Sequence, residues 1–247
     1  MCMKKLMVCI LCLASVPCFA QLRLGVQGSF SAIGFWQTDH YTGYPANEFI
    51  WEMNGFRAGV FAEYALGYSG LMLVPSLTYG VNGAHIGQSI GFPAGSNYSY
   101  NFSDSRVKIN NLSLPINLVY GYRLNPKFKV FAGMGVYISK SLSGTEKGNY
   151  SVDSNNNVQY AYTYRLTNNL QFNNHKSQYV SGQSNVQPID GGLDILAGFQ
   201  WKKLQVSVSY NRGFVQMYRT DYVNMGNQFW NFTLGYVLWG HDRKPKL

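Results

Sequence analysis

Apolar and polar residues alternate with a period of two along most of the chain, and turn-forming residues separate the alternating stretches. That period puts successive side chains on opposite faces of a β-strand. Eight strands are predicted, over 22–31, 55–67, 71–84, 107–124, 127–141, 191–201, 204–217 and 229–239. The pattern is clearest in 204–214, where Leu204, Val206, Val208, Tyr210 and Phe214 share one face and Gln205, Ser207, Ser209, Asn211 and Gly213 the other. The last strand repeats it, with Trp230, Phe232, Leu234, Tyr236 and Leu238 set against Asn231, Thr233 and Gly235.

The polar face is mostly Gly, Ser, Asn, Thr and Gln, with few charges. A soluble barrel turns its polar face to bulk water and usually carries Lys and Glu there. Small polar side chains suit the inside of a narrow barrel, which sets the apolar face against lipid. Lipid offers no hydrogen bonds, so such a sheet has to close on itself. The predicted fold is all-β: a transmembrane, antiparallel, up-and-down β-barrel of eight strands.

Connection lengths agree. Short turns follow the second strand (Tyr68-Ser69-Gly70), the fourth (Asn125-Pro126) and the sixth (Lys202-Lys203). Longer loops, 32–54, 85–106, 142–190 and 218–228, follow the odd strands. Short periplasmic turns and long outer loops are the usual asymmetry of such barrels. An even strand count leaves both termini in the periplasm. Within 142–190, Val158 to Leu166 alternates again, with Tyr160, Tyr162 and Tyr164 in phase. This stretch is either a hairpin standing above the membrane or an addition that makes ten strands. Pro75 and Pro115 fall inside predicted strands and imply a bulge or a strand end nearby.

Aromatic residues fall in two bands. Phe30, Phe56, Tyr79, Tyr210, Phe214 and Trp230 are placed near the outer rim, and Tyr64, Tyr120, Tyr122, Phe128 and Trp201 near the periplasmic rim. Tyr and Trp favour the headgroup level, where an apolar body and a polar tip are both accommodated.

Composition supports the membrane assignment. Charged residues make up 13% of the chain, against about 25% in a soluble domain. Aromatics reach 16%, yet no apolar run beyond residue 20 is long enough for a membrane helix. Residues 1–20 read as a secretory signal, with Lys4 and Lys5, an apolar run from Leu6 to Val16, and Cys18-Phe19-Ala20 before a mature start at Gln21. All four cysteines, Cys2, Cys9, Cys12 and Cys18, lie in that leader. Residues 21–247 therefore have no disulfide, thiolate metal site or cysteine nucleophile. The expected organisation is a signal peptide over 1–20, a barrel over 21–240 and a basic periplasmic tail over 241–247. The formal charge falls from +9 to +7 once Lys4 and Lys5 are removed. No Lys/Arg-rich run with interleaved aromatics points to nucleic acid.

Several segments carry a resemblance. They are Leu24-Gly25-Val26 with Ser29; Gly59-Val60-Phe61-Ala62-Glu63-Tyr64; Leu112 and Pro115-Ile116 followed by Tyr120-Gly121-Tyr122; Ala132 to Tyr137; Ala197-Gly198-Phe199; and Val208 to Asn211 with Gly213. In these the chain resembles the Bacteroidetes outer-membrane β-barrel family, the porin-like or PorT-like group, across nearly all of 22–239. The resemblance implies the barrel fold, and one branch of the group belongs to a protein-secretion apparatus, the type IX system. The family pattern usually stops at the final aromatic, whereas this chain continues from Gly240 to Leu247.

Candidate chemistry is sparse. His40, His85 and His175 fall in predicted outer loops and His241 in the tail, with no metal-ligand spacing among them. Asp39-His40 reads as a solvated loop pair. No nucleophile elbow, phosphate loop or H-E-x-x-H sequence occurs. No catalytic, cofactor-binding or metal-binding residue is therefore assigned, and no cofactor is expected.

Charges on the lumen face are more informative: Arg23, Arg57, Glu63, Arg123, Lys129 and Asp194. A buried charge needs a partner. Glu63 is expected to pair with Arg23 or Arg123 near the periplasmic end, and Asp194 with Arg57 near the outer mouth. Such pairs would plug a narrow barrel, or line a polar path through it. A basic periplasmic rim gathers Lys127, Lys129, Lys202, Lys203, Arg243, Lys244 and Lys246, suited to anionic headgroups or an acidic partner. Interfacial anchors are expected at Tyr64, Tyr122, Trp201, Tyr210 and Trp230.

The expected role is a non-enzymatic binding, scaffold or structural component of a bacterial outer membrane, with a place in a type IX-like secretion apparatus as its specific form. A narrow porin-like channel is the alternative, and a lipid-modifying or proteolytic barrel enzyme a further one. Expected partners are outer-membrane lipid, the barrel-assembly machinery and secretion or envelope proteins, around a monomeric barrel that binds no nucleic acid.

Overall fold

Thirteen β-strands and no helix make up the described residues of the computed structural model, which are 22–39, 47–51, 53–67, 70–90, 98–154, 162–173, 185–219 and 223–240. In chain order they are β1 (Leu22–Asp39), β2 (Asn47–Trp51), β3 (Met53–Ala65), β4 (Leu71–Ile90), β5 (Tyr98–Asn125), β6 (Phe128–Ser154), β7 (Tyr162–Asn169), β8 (Gln171–Phe172), β9 (Asn185–Val186), β10 (Ile189–Trp201), β11 (Leu204–Gly213), β12 (Tyr218–Arg219) and β13 (Val223–Trp239). Eight of them close a ring in the order β1-β3-β4-β5-β6-β10-β11-β13, with β13 returning to β1. Every neighbouring pair in the ring is antiparallel. The predicted leader and the predicted basic tail lie outside the described residues, as do His40, His175 and His241.

Ring closure follows from the residues. First and last strands zip together from Leu24↔Trp239 up to Asp39↔Val223, so no sheet edge is left to lipid. The two faces differ as the period of two requires. Outward-facing Phe56, Met134, Val136, Phe232 and Leu238 are more than half exposed. Inward-facing Ser31, Thr78, Asn111, Ser113, Asn117, Asn211 and Asn231 are buried. This inverts a soluble barrel.

Turns at the periplasmic end are tight. Pro126-Lys127 joins β5 to β6 and Lys202-Lys203 joins β10 to β11. Lys202 takes a left-handed backbone at φ 54°. Gly70, at φ 82°, closes the turn before β4, where a side chain would meet the Gly121 carbonyl.

Two expectations change, and one open alternative is decided. First, the predicted outer loops are partly strand. β4 runs to Ile90, β5 starts at Tyr98 and β6 continues to Ser154. In these segments the apolar alternation fades while the backbone ladder continues. Second, the Val158–Leu166 stretch enters the described residues at Tyr162, where β7 begins, and Tyr162–Asn169 pairs with Val152–Thr145 of β6 above the ring. It belongs to a projecting arm, and the ring stays at eight. Third, neither proline ends its strand or forces a bulge. The β3–β4 register is the same on either side of a gap between Phe61↔Ser76 and Tyr64↔Leu73, where Pro75 sits. A matching gap between Pro75↔Ile116 and Thr78↔Ser113 accommodates Pro115. The missing N–H groups cost local ladder bonds but no residue of register.

Candidate functional site

The lumen is the site to which the inward-facing polar residues converge. Near its periplasmic end, Arg23 of β1 and Glu63 of β3 are direct register partners. The Arg23 guanidinium forms an ion pair with Glu63, with Nε donating to Oε2 at 2.6 Å. The same Glu63 carboxylate accepts from Gln205 Nε2 of β11 at 2.5 Å and has Lys129 Nζ of β6 at 3.9 Å. Arg23 also donates to Gln200 Oε1 of β10 at 2.9 Å. One acidic side chain thus ties together groups from five strands, reaching across the lumen. Burying a carboxylate is expensive unless charges and donors surround it, and here two cations and an amide do so. Arg123, the other expected partner, sits beside Lys129 in the β5–β6 ladder and is half-buried.

Apolar rings fill the space above this network. Phe61 and Val119 are buried and line the same lumen as the half-buried Phe131. Phe61 leans over Gly25 and Phe131 over Gly198, both inward-facing positions where a Cβ would overlap the ring. A cavity of about 100 Å³ remains, bordered by Ser76, Thr78, Ser113, Asn117 and Asp194. That is room for a few water molecules. Arg57 Nε and the Oδ1 atoms of Asn117 and Asp194 line this cavity without a protein hydrogen-bond partner.

A second polar cluster occupies the outer half. Tyr137 donates to Asp190 Oδ2 at 3.0 Å, and Asn227 Nδ2 donates to the same oxygen at 2.8 Å. Asn117 Nδ2 donates to Asp194 Oδ2 at 2.8 Å. Arg57 and Asp194 attract each other across the lumen without forming a direct ion pair. The Arg57 guanidinium donates to Asn82 Oδ1 and lies over the Phe229 ring, 4.0 Å from the centroid. An inward Arg on β3 meets its own neighbours first: Asn82 lies two residues beyond its β4 partner Gly80. The aromatic face of Phe229 completes its solvation by a cation–π contact.

All six predicted lumen charges face inward, and Arg23, Glu63 and Lys129 among them form one network. Sequence reading missed Asp190, which is 1% exposed. Extending the predicted sixth strand by one residue puts Asp190, Gly192 and Asp194 on one face, and that would have found it. Gln200 and Gln205 were also missed, because amides on a polar face carry no charge signal. Among the described residues, no group of three or more His, Asp or Glu side chains could hold a metal ion.

On the periplasmic side, Lys127, Lys202 and Lys203 are exposed, and Lys202 N donates to the Lys127 carbonyl at 2.7 Å. The two turns touch, which brings these three lysines together. Arg243, Lys244 and Lys246 lie outside the described residues. Of the interfacial anchors, Tyr122, Trp201 and Trp230 are exposed, whereas Tyr64 and Tyr210 are half-buried. Tyr210 packs on Trp230 with ring centroids 4.9 Å apart. Lys202 Nζ lies 5.0 Å over the Trp201 ring.

A family model described as outer membrane protein beta-barrel domain matches residues 19–219. No curated protein matches the chain in sequence. Among solved structures, neisserial surface protein A is 12% identical over 86% of this chain and 96% of its own, with a TM-score of 0.38. The outer membrane protein OprG from Pseudomonas aeruginosa is 10% identical over 89% of this chain and 96% of its own, with a TM-score of 0.46. The attachment invasion locus protein Ail of Yersinia pestis, crystallised with sucrose octasulfate, is 10% identical over 87% and 99%, with a TM-score of 0.34.

Proposed function

We propose that this protein, which belongs to the outer membrane protein beta-barrel domain family, is a closed, non-enzymatic barrel that anchors an outward β-arm for binding or scaffolding in the outer membrane. The observation that carries this reading is the convergence on Glu63. Groups from β1, β3, β6, β10 and β11 meet across the lumen at or beside one carboxylate. A plug of that kind holds the wall rigid and fills the space a solute would need. The strands β5, β6 and β7 continue well past the ring, and they offer the surface on which a partner would dock.

A role in a type IX-like secretion apparatus is the specific form suggested by the PorT-like resemblance. The basic turn residues Lys127, Lys202 and Lys203 then offer a periplasmic contact for an acidic partner or for anionic headgroups. A narrow channel is the competing reading, and the polar cavity beside Asn117 and Asp194 favours it. Planar-bilayer recording separates the two. The closed barrel gives no unitary current, whereas regular conductance steps from the purified wild-type protein would overturn it. Cross-linking in native outer membranes followed by mass spectrometry identifies the partner. A barrel that cross-links to no envelope protein would sink the scaffold.

A further inference from the structure

Inside the lumen, β5 and β10 reach toward each other over β6. Asn117 of β5 and Asp194 of β10 share one register partner on β6, Gly135. A side chain at 135 would strike the Asn117 carbonyl oxygen, so the glycine lets the two residues join directly. Asn117 Nδ2 donates to Asp194 Oδ2 at 2.8 Å. That bond fixes which atoms are left over. Asn117 Oδ1 and Asp194 Oδ1, both acceptors, border the cavity with no protein partner. Both residues are 5% exposed.

Arg57 of β3 supplies the opposite end. It is buried, held by Asn82 through one terminal nitrogen and by the Phe229 ring, and its Nε–H borders the same cavity unpaired. In the ring β3 and β10 lie four places apart, so the guanidinium and the carboxylate start from opposite walls. Two buried opposite charges that do not touch recover little of the cost of leaving water. The cavity they border measures about 100 Å³, and Ser76, Thr78 and Ser209 add hydroxyls to its wall. A lone cation there would leave Arg57 Nε unpaired and be repelled by it. A lone anion would leave both acceptors unpaired and be repelled by Asp194. A molecule with one anionic and one cationic end satisfies all three atoms.

We propose that this chamber binds a compact zwitterion of the kind the smallest α-amino acids present, with its carboxylate on Arg57 Nε and its ammonium on Asp194 Oδ1 and Asn117 Oδ1. Charge-assisted hydrogen bonds at both ends supply the affinity. The volume sets a size limit. It is that of roughly three waters at about 30 Å³ each, enough for glycine or alanine and too little for a branched side chain. The Glu63 network closes the periplasmic end, so the ligand enters from the outer mouth. A zwitterion carries no net charge and gives no current, so the site stands apart from the choice between scaffold and channel.

The test is equilibrium binding of radiolabelled glycine to the purified full barrel in non-ionic detergent, with unlabelled competitors. Glycine and L-alanine compete fully. Acetate and methylammonium, which carry one end each, compete about tenfold more weakly or worse, as loss of a charge-assisted bond requires. L-leucine is too large to compete. Asp194→Asn keeps the shape of the site and removes the charge that holds the ammonium, weakening glycine about tenfold to a hundredfold. Lys140→Gln, on the exposed outward face of β6, stays within about twofold of wild type, because solvent screens its charge from the lumen. Heat-shifted migration on a gel verifies folding of each variant. If Asp194→Asn does not fold, the competitor series on the wild-type barrel decides alone. Absence of saturable glycine binding overturns the proposal, as does unchanged affinity in folded Asp194→Asn. Methylammonium or acetate as potent as glycine overturns it too, by marking a plain cation or anion site, and so does leucine as potent as glycine.

Discussion

Phe61 on β3 and Gly25 on β1 are register partners, and the ring of one covers the bare backbone of the other. The same ring reaches Gly235 of β13 on the far side of β1. A side chain large enough to cross the lumen therefore needs a partner with no side chain. Adding a methyl group in Gly25→Ala forces the ring out of a filled interior, at about 1–3 kcal/mol. We expect a lower urea midpoint for folding into lipid vesicles, with Gly28→Ala, whose added Cβ has open space, as the unaffected comparison.

Glu63→Gln keeps the shape of the periplasmic plug and removes its charge. Arg23 and Lys129 are then left facing an amide, and breaking a buried pair in this way costs about 3–5 kcal/mol. The temperature at which the folded gel band disappears should drop clearly. Replacing Arg23 and Glu63 together by methionine should restore most of the loss, because apolar isosteres often match a buried pair. A Glu63→Gln barrel as heat-resistant as wild type would show that the network is not structural.

Depth in the membrane predicts a second contrast. Met134 faces outward midway along the belt and is 65% exposed, whereas Leu124 faces outward beside the β5–β6 turn. Met134→Arg should cost about 2–4 kcal/mol and Leu124→Arg about 0–1 kcal/mol. Reversible folding in vesicles measures both, and equal costs would refute the outward orientation of β6.

In the outer cluster, Tyr137→Phe removes a donor from the buried Asp190 carboxylate and leaves Asn227 as its side-chain donor. The expected loss is about 1–3 kcal/mol, read in the same folding assay. No change would mean that other donors already satisfy Asp190.

The belt was legible because hydrocarbon on one side and a packed lumen on the other enforce a strict period of two. Leu204 to Gly213 and Phe229 to Trp239 show this most plainly. Strand extensions to Ile90 and Ser154 were not legible, because their residues lose the apolar alternation while hydrogen bonds continue the ladder. The Arg23–Glu63 contact could be anticipated from charge and depth, since the two residues sit at the same level on neighbouring strands. Arg57 could not be placed the same way. Its side chain had two polar neighbours at comparable reach, and the aromatic face of Phe229 gave no charge signal to favour Asn82 over Asp194. The prolines misled because a missing donor can be absorbed as a ladder gap without any change of register.

From Asn110 to Tyr98, β5 climbs above the lipid-facing belt for twelve residues, held by β6 on one side and in part by β4 on the other. At about 3.3 Å per residue that is roughly 40 Å of stiffened ribbon. Anything approaching the cell from outside, whether an antibody, a phage fibre or a neighbouring cell, would meet the crest of this ribbon well before the barrel mouth. Sequence change at the crest can therefore alter what the cell presents to its surroundings without touching a single residue that keeps the wall closed.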